Sequence, residues 1–221
     1  MLSRHEEKYI LTYRQYLQLS SRAQEVLVPD KHGDAGTYTI TSIYYDDPED
    51  TGLFEKLDGL ALHSKFRVRT YDFDTEFVRL ERKDKLGILT NKISAVIGWS
   101  QLPLLTESGA WEQAEGDARA LMQQMQSKSM RPVVAVRYVR DAFCHPGSDL
   151  RLTFDRDLEA LPADACALSS PDFVGVPVLP PGSVVMEIKY GSCLPVFARK
   201  LTRVHAPQLS LSKYALCRVR V

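Results

Sequence analysis

The sequence has no apolar run of about 18 residues or more, so no helix of bilayer-spanning length is expected. It has no CxxC pair. Cys144, Cys166, Cys193 and Cys217 stand apart, which argues against a zinc site of common spacing and for free thiols in a reducing compartment. His5, His32, His63, His145 and His205 are scattered, with no HExxH among them. There is no GxxxxGK[ST] loop, no GxGxxG after a strand and no GxSxG elbow, so P-loop, dinucleotide and serine-hydrolase chemistries lack their usual supports. Excess charge is absent too: Lys and Arg number 28, Asp and Glu 28, and strong global attraction to nucleic acid or membrane is not expected. The first eight residues, MLSRHEEK, are charged where a secretory signal would be apolar, and a cytoplasmic location is the expectation.

What is present is an ordinary globular composition: 221 residues, 44% hydrophobic and 25% charged. Alternation predicts strands over 6–11, 38–45, 64–71, 77–83, 88–94, 133–143, 150–155 and 184–190. Helical spacing predicts helices over 13–27, 52–57 and 195–204, with a short last element over 215–221. Trp111, Ala114, Ala118, Leu121, Met122 and Met125 read as the apolar stripe of one helix inside 98–130. Residues 158–182, rich in proline, read as loop. No internal repeat or long linker divides the chain, so residues 1–221 read as a single α+β domain dominated by antiparallel sheet.

Charge placement is more informative than charge total. Successive side chains of a strand point to opposite faces. Lys65, Arg67, Arg69 and Tyr71 share one face, with Phe66 and Val68 on the other. Arg79, Glu81 and Lys83 oppose Val78 and Leu80; Arg151, Thr153 and Asp155 oppose Leu150, Leu152 and Phe154; Glu187 and Lys189 oppose Met186 and Ile188. Glu6 pairs in phase with Lys8, and Tyr138 with Arg140. With Lys92 and Lys213 the polar positions hold eleven cations against four carboxylates, Glu6, Glu81, Asp155 and Glu187. A solvated outer face also alternates, but it mixes signs, because like charges opposite each other destabilise pairing. A cluster of one sign calls for an anion. A phosphate chain or nucleoside triphosphate suits Arg forks and Lys point charges, with a divalent metal on the carboxylates, Glu187 first, then Glu6 and Glu81.

Nine short segments, in order, resemble the VTC domain: 4–9 (RHEEKY), 42–48 (SIYYDDP), 56–59 (KLDG), 65–71 (KFRVRTY), 80–83 (LERK), 137–140 (RYVR), 151–155 (RLTFD), 187–189 (EIK) and 211–214 (LSKY). The resemblance runs from residue 4 to 214. It implies a triphosphate tunnel metalloenzyme (CYTH-like) fold, a closed antiparallel β-barrel with charged lumen and helices packed outside. It implies Arg67, Arg69, Lys83, Lys189 and Lys213 as catalytic cations, and Lys8, Lys65, Lys92, Tyr138, Arg140, Arg151 and Ser212 as phosphate-binding groups. Lys56 would add a cation at the tunnel mouth. Glu187, with Glu6 and Glu81, would hold Mn²⁺ or Mg²⁺.

The implied activity is ATP-dependent polyphosphate polymerase: the γ-phosphoryl group passes to a phosphate, pyrophosphate or polyphosphate end, with no protein nucleophile. Two departures from the resemblance matter. The first strand reads Glu6-Glu7-Lys8 rather than ExExK, which disfavours a two-metal triphosphatase. The eukaryotic proteins also carry a phosphate-sensing SPX domain and transmembrane helices, absent from these residues, so membrane association would need a separate partner. The alternatives are a triphosphate or nucleotide hydrolase of the same fold, or a non-catalytic polyanion-binding module. Nucleic acid is not an expected partner: the basic face lacks the aromatic stacking pattern of an RNA-reading sheet.

Overall fold

Residues 5–87, 89–191 and 193–220 are described by a computed structural model. In chain order the elements are β1 (His5–Thr12), α1 (Tyr13–Val26), β2 (Val28–Pro29), β3 (Thr37–Asp46), α2 (Thr51–Leu57), β4 (Leu62–Tyr71), β5 (Val78–Leu86) and β6 (Leu89–Ile97). There follow α3 (Gly116–Ser127), β7 (Arg131–Cys144), β8 (Arg151–Leu161), α4 (Cys166–Ser169), β9 (Val176–Pro177), β10 (Ser183–Tyr190), α5 (Val196–Leu201) and α6 (Lys213–Arg218). Ladders join the strands in the order β1-β10-β8-β7-β3-β4-β5-β6, with β2 on β7 and β9 on β8. The predicted antiparallel α+β class is the observed one. Among the described residues the ladder path is not closed: it ends at β1 and β6, where the resemblance implies a closed barrel. The outer edge of β1 is taken by an incoming irregular segment, with the Leu209 amide donating to the Lys8 carbonyl at 2.9 Å and Tyr9 bridging Gln208. No helix among the described residues is long and apolar enough to cross a membrane.

The residues group into two compact units. One comprises 1–39, 138–158 and 179–211. Its core takes the apolar face of β8 (Leu152, Phe154) and of β10 (Val184, Met186, Ile188), covered by Leu19 and Ala23 of α1 and Ala198 and Leu201 of α5. Helix α1 starts at a reciprocal cap: the Gln15 amide donates to Thr12 Oγ1 at 3.3 Å, and Gln15 Oε1 accepts from the Thr12 amide at 2.9 Å. Buried Asp141 ties this unit further, accepting from Tyr16 and Thr37 hydroxyls at 2.8 Å each.

The second unit comprises 40–137, 159–178 and 212–221. Phe66, Val68, Val78 and Leu80 from β4 and β5 pack against Leu121, Met122 and Met125 of α3, all at most 1% exposed. The helix expected inside 98–130 is shorter than its stripe. Residues 99–113 form three single 3₁₀ turns, because Pro103 lacks an amide donor and Gly109 sits at φ +79°. Trp111 and Ala114 therefore reach the same core from a turn, not from α3. The expected loop over 158–182 is in fact entered by β8, whose Leu158, Ala160 and Leu161 are buried, and it holds α4 and β9. The strand expected to begin at 88 begins at Leu89, and Ile88 lies outside the described residues.

Asp46, at the end of β3, is the main polar tie of the second unit. Its oxygens accept from the amides of Asp47, Gly52 and Leu53 at 3.0, 2.9 and 3.0 Å and from the Tyr214 hydroxyl. It thereby anchors the start of α2 and the first turn of α6 together. A side chain at position 52 would put a Cβ 3.1 Å from Asp46 Oδ1, so glycine permits this approach. Asp46→Ala is expected to lower stability by about 2–4 kcal/mol, since four donors lose a buried carboxylate. Urea unfolding monitored by circular dichroism measures it, and a change under about 0.5 kcal/mol would contradict the anchor.

Candidate functional site

In the second unit the register arranges the charged face in rows. Lys65 lies opposite Lys83, and Lys83 opposite Lys92. In the next row Tyr44, Arg67, Glu81 and Ser94 are successive partners, and in the third Ser42, Arg69 and Arg79. The first row is three ammonium groups on three hydrogen-bonded strands. Lys65 Nζ donates to Ser212 Oγ at 2.9 Å. Ser212 also accepts from the Ala215 amide at 3.3 Å as the cap of α6, which leaves its own hydroxyl hydrogen to donate. Lys213 follows as the first residue of that helix.

The second row supplies the counter-charge. Glu81 is 1% exposed. Its Oε2 takes Arg67 Nε and Nη2, each at 2.7 Å, and its Oε1 takes Lys92 Nζ at 3.0 Å. Burial alone would raise this carboxyl, but Arg67, Arg69 and Lys92 outweigh it and hold Glu81 well below the ordinary carboxylate range. Arg67 also donates to Tyr44 at 3.1 Å, and the Tyr44 ring stacks on Tyr214 at 5.0 Å. Arg69 donates to Ser42 at 2.9 Å and Arg79 to Ser94 at 3.2 Å. Burial disfavours protonation of His63, the hydrogen bond to the Leu60 carbonyl opposes this, and the charges of Lys65, Lys56 and Lys85 add to the suppression.

In the first unit, Glu6 faces Lys189 and Lys8 faces Glu187 across β1 and β10, so opposite charges alternate along both strands. Each strand also pairs its own charges: Lys8 Nζ to Glu6 at 2.6 Å and Lys189 Nζ to Glu187 at 2.6 Å. On β8, Thr153 lies opposite Glu187 and Arg151 opposite Lys189. Arg140 grips Asp155 with a fork of 2.6 and 2.8 Å, and its guanidinium lies 5.3 Å from the Tyr138 ring. Burial opposes the Arg140 charge, yet Asp155, with help from Glu187, keeps it firmly protonated. Arg151 turns to Asp30 at 2.5 Å and to the Tyr38 hydroxyl at 2.9 Å.

The VTC domain family model matches residues 3–220. The chain belongs to the VTC domain family. Among curated proteins none matches it in sequence. Several solved structures share its fold. The PH1819 protein from Pyrococcus horikoshii is 14% identical with 99% of each chain covered, TM-score 0.52. A candidate adenylate cyclase from Vibrio parahaemolyticus is 8% identical with 97% of each covered, TM-score 0.53. Another, from Bacillus halodurans, is 10% identical, covering 90% of this chain and 87% of that one, TM-score 0.50. Identities this low speak for the fold alone.

Within this VTC domain the expected residues fall into two sets. Arg67, Arg69, Lys65, Lys83, Lys92, Glu81, Ser212 and Lys213 belong to the second unit; Lys8, Glu6, Tyr138, Arg140, Arg151, Glu187 and Lys189 belong to the first. No group of three His, Cys, Asp or Glu side chains suited to a metal occurs among the described residues. Glu81 in particular spends both oxygens on Arg67 and Lys92 and acts as their counterion. Sequence reading passed over Asp46, Tyr44 and Asp30. The first two stand in the SIYYDDP segment, where an acidic residue ending a β-branched and aromatic strand was the available signal. Asp30 gave none, because its partner Arg151 is remote in sequence.

Glu81 also sets an acid limit. A carboxyl held below its unfolded value contributes stability above that value and loses it as pH falls through the folded one. Its ordinary value is about 4.5, so the contribution is intact above pH 5 or so and drains away below it. Glu81→Gln should show a shallower loss of stability than the unaltered protein below pH 4.5 or so, measured by urea midpoints at stepped pH. Equal slopes would remove Glu81 as a paired buried carboxylate.

Proposed function

We propose that this VTC domain is a metal-dependent phosphotransferase that extends polyphosphate with the γ-phosphoryl group of ATP. The observation that carries the reading is the row Lys65, Lys83 and Lys92 on three paired strands, bordered by Arg67, Arg69 and Arg79. Three ammonium groups in one row offer several contacts along a phosphate chain, and their mutual repulsion falls when such a chain binds. In the same unit Ser212 would donate to a phosphoryl oxygen, and Lys213 would add charge beside it. In the other unit Lys8, Lys189, Arg140 and Arg151 offer the same chemistry, with Tyr138 as a hydroxyl donor.

The donor set also fits Mn²⁺ or Mg²⁺. Such ions take one or two carboxylates and complete their shell with water and phosphate oxygens, so no cage of three protein ligands is required. Glu187, which is 6% exposed, would hold the ion with Glu6, its diagonal neighbour on β1. The metal, when bound, would neutralise charge on the phosphoryl oxygens. Transfer would then proceed in line: an oxygen of the acceptor phosphate bonds to the γ-phosphorus as the bond to the bridging oxygen breaks, and ADP leaves with that electron pair. The cations would stabilise charge as it shifts toward ADP, and no side chain is needed as nucleophile. ATP as donor suits a cytoplasmic location, and a separate membrane protein would be the partner if product crosses a bilayer.

Incubation with ATP, Mn²⁺ and a trace of pyrophosphate, read by gel and ³¹P NMR, is expected to yield ADP and chains. Orthophosphate without chains would favour the hydrolase reading, and unchanged ATP would favour a binding module. Glu187→Ala should lower turnover by roughly 10²–10³-fold while tripolyphosphate still binds by calorimetry. Turnover unchanged in that variant would take Glu187 out of the site.

A further inference from the structure

Thr153 is 4% exposed, and its Oγ1 has no hydrogen-bond partner among the described residues. Its strand neighbours Leu152 and Phe154 enter the apolar core, which places Thr153 on the opposite, charged face with Arg151 and Asp155. Across the ladder it lies opposite Glu187. The flanking groups hold other partners: Asp155 takes the Arg140 fork, and Arg151 is drawn to Asp30 and Tyr38.

A buried hydroxyl without a partner works against the fold. Valine has the same shape and an equal or better preference for a strand, so stability alone would favour valine at this position. Thr41 gives the contrast. Its Oγ1 likewise has no described partner, but it lies in phase with Ile43 and Tyr45, which enter the apolar core. Only for Thr153 does the surrounding chemistry, cations and a carboxylate, point to a ligand.

We propose that Thr153 is a binding residue whose hydroxyl donates a hydrogen bond to a phosphoryl oxygen of the bound phosphate chain, next to Glu187. The assignment rests on the polyphosphate reading above and adds to it a neutral donor that distinguishes correct seating from mere charge attraction. Cations hold a phosphate chain at many offsets. A single short hydroxyl rewards only the offset that brings an oxygen to it.

The test is calorimetric titration of inorganic tripolyphosphate into the unaltered protein, Thr153→Val and Thr153→Ser, with thermal unfolding of each. Thr153→Val should bind roughly tenfold more weakly or worse, the loss of one hydrogen bond to a charged group. Its unfolding midpoint should be equal or higher, and Thr153→Ser should bind close to the unaltered protein. Equal affinity in Thr153→Val overturns the assignment, and so does a loss of affinity that tracks a lowered unfolding midpoint, because the hydroxyl then serves the fold. Absence of tripolyphosphate binding to the unaltered protein overturns the polyphosphate reading itself and this assignment with it, so the two failures are told apart.

Discussion

Repulsion among cations on one face of an antiparallel sheet is the constraint to which the rest of this structure answers. The ladders set Lys65, Lys83 and Lys92 side by side and stack Arg69 against Arg79 in a row nearby. Like charges so placed weaken the very pairing that holds them. Two buried carboxylates offset it locally, Glu81 between Arg67 and Lys92, and Asp155 on Arg140. Glu81 pairs Arg67 of its own row and Lys92 at the end of the lysine row, and Asp155 pairs Arg140.

The apolar faces make this arrangement affordable. Phe66, Val68 and Leu80 in one unit, and Leu152, Phe154 and Met186 in the other, are at most 1% exposed. Removing such side chains from water is worth on the order of 1.5–3 kcal/mol each, more than a repelling neighbour across a ladder costs. A sheet buried firmly on one side tolerates a destabilising pattern on the other. Electrostatics also helps to specify pairing in the first unit. There Glu6 meets Lys189 and Lys8 meets Glu187, and a shift by one residue would move every one of these charges toward the core.

How much of this was legible in the sequence follows from the range of each interaction. Strand parity is local, with period two, so the charged faces of β4, β5, β8 and β10 could be read from residues alone, as could their apolar faces. The VTC segments fixed the family for the same reason, since each is short and keeps its order. Helix limits between 98 and 130 were misread because one apolar stripe can be built from a helix and from separate 3₁₀ turns, with Pro103 and Gly109 deciding between them. Sequence shows the carboxylates Glu6, Glu81 and Glu187 but not the cations that their oxygens hold in the fold, Lys8, Arg67 with Lys92, and Lys189. Asp46, Asp30 and Tyr44 act through partners far along the chain, and no local pattern announces such a role. Thr153 was placed on the correct face, yet its missing partner is visible only once every neighbour has been assigned.

The tie between Asp46 and Tyr214 spans 168 positions of sequence, and that between Lys65 and Ser212 spans 147. Contacts of such separation close large loops, form late and slow the search for the native state. On a ribosome, the lysine row can assemble soon after β6 emerges, but its serine neighbour is still to be made. Both ties therefore wait for the end of the chain, and the polar partners of β3 and β4 are complete only once residues 212–214 are in place.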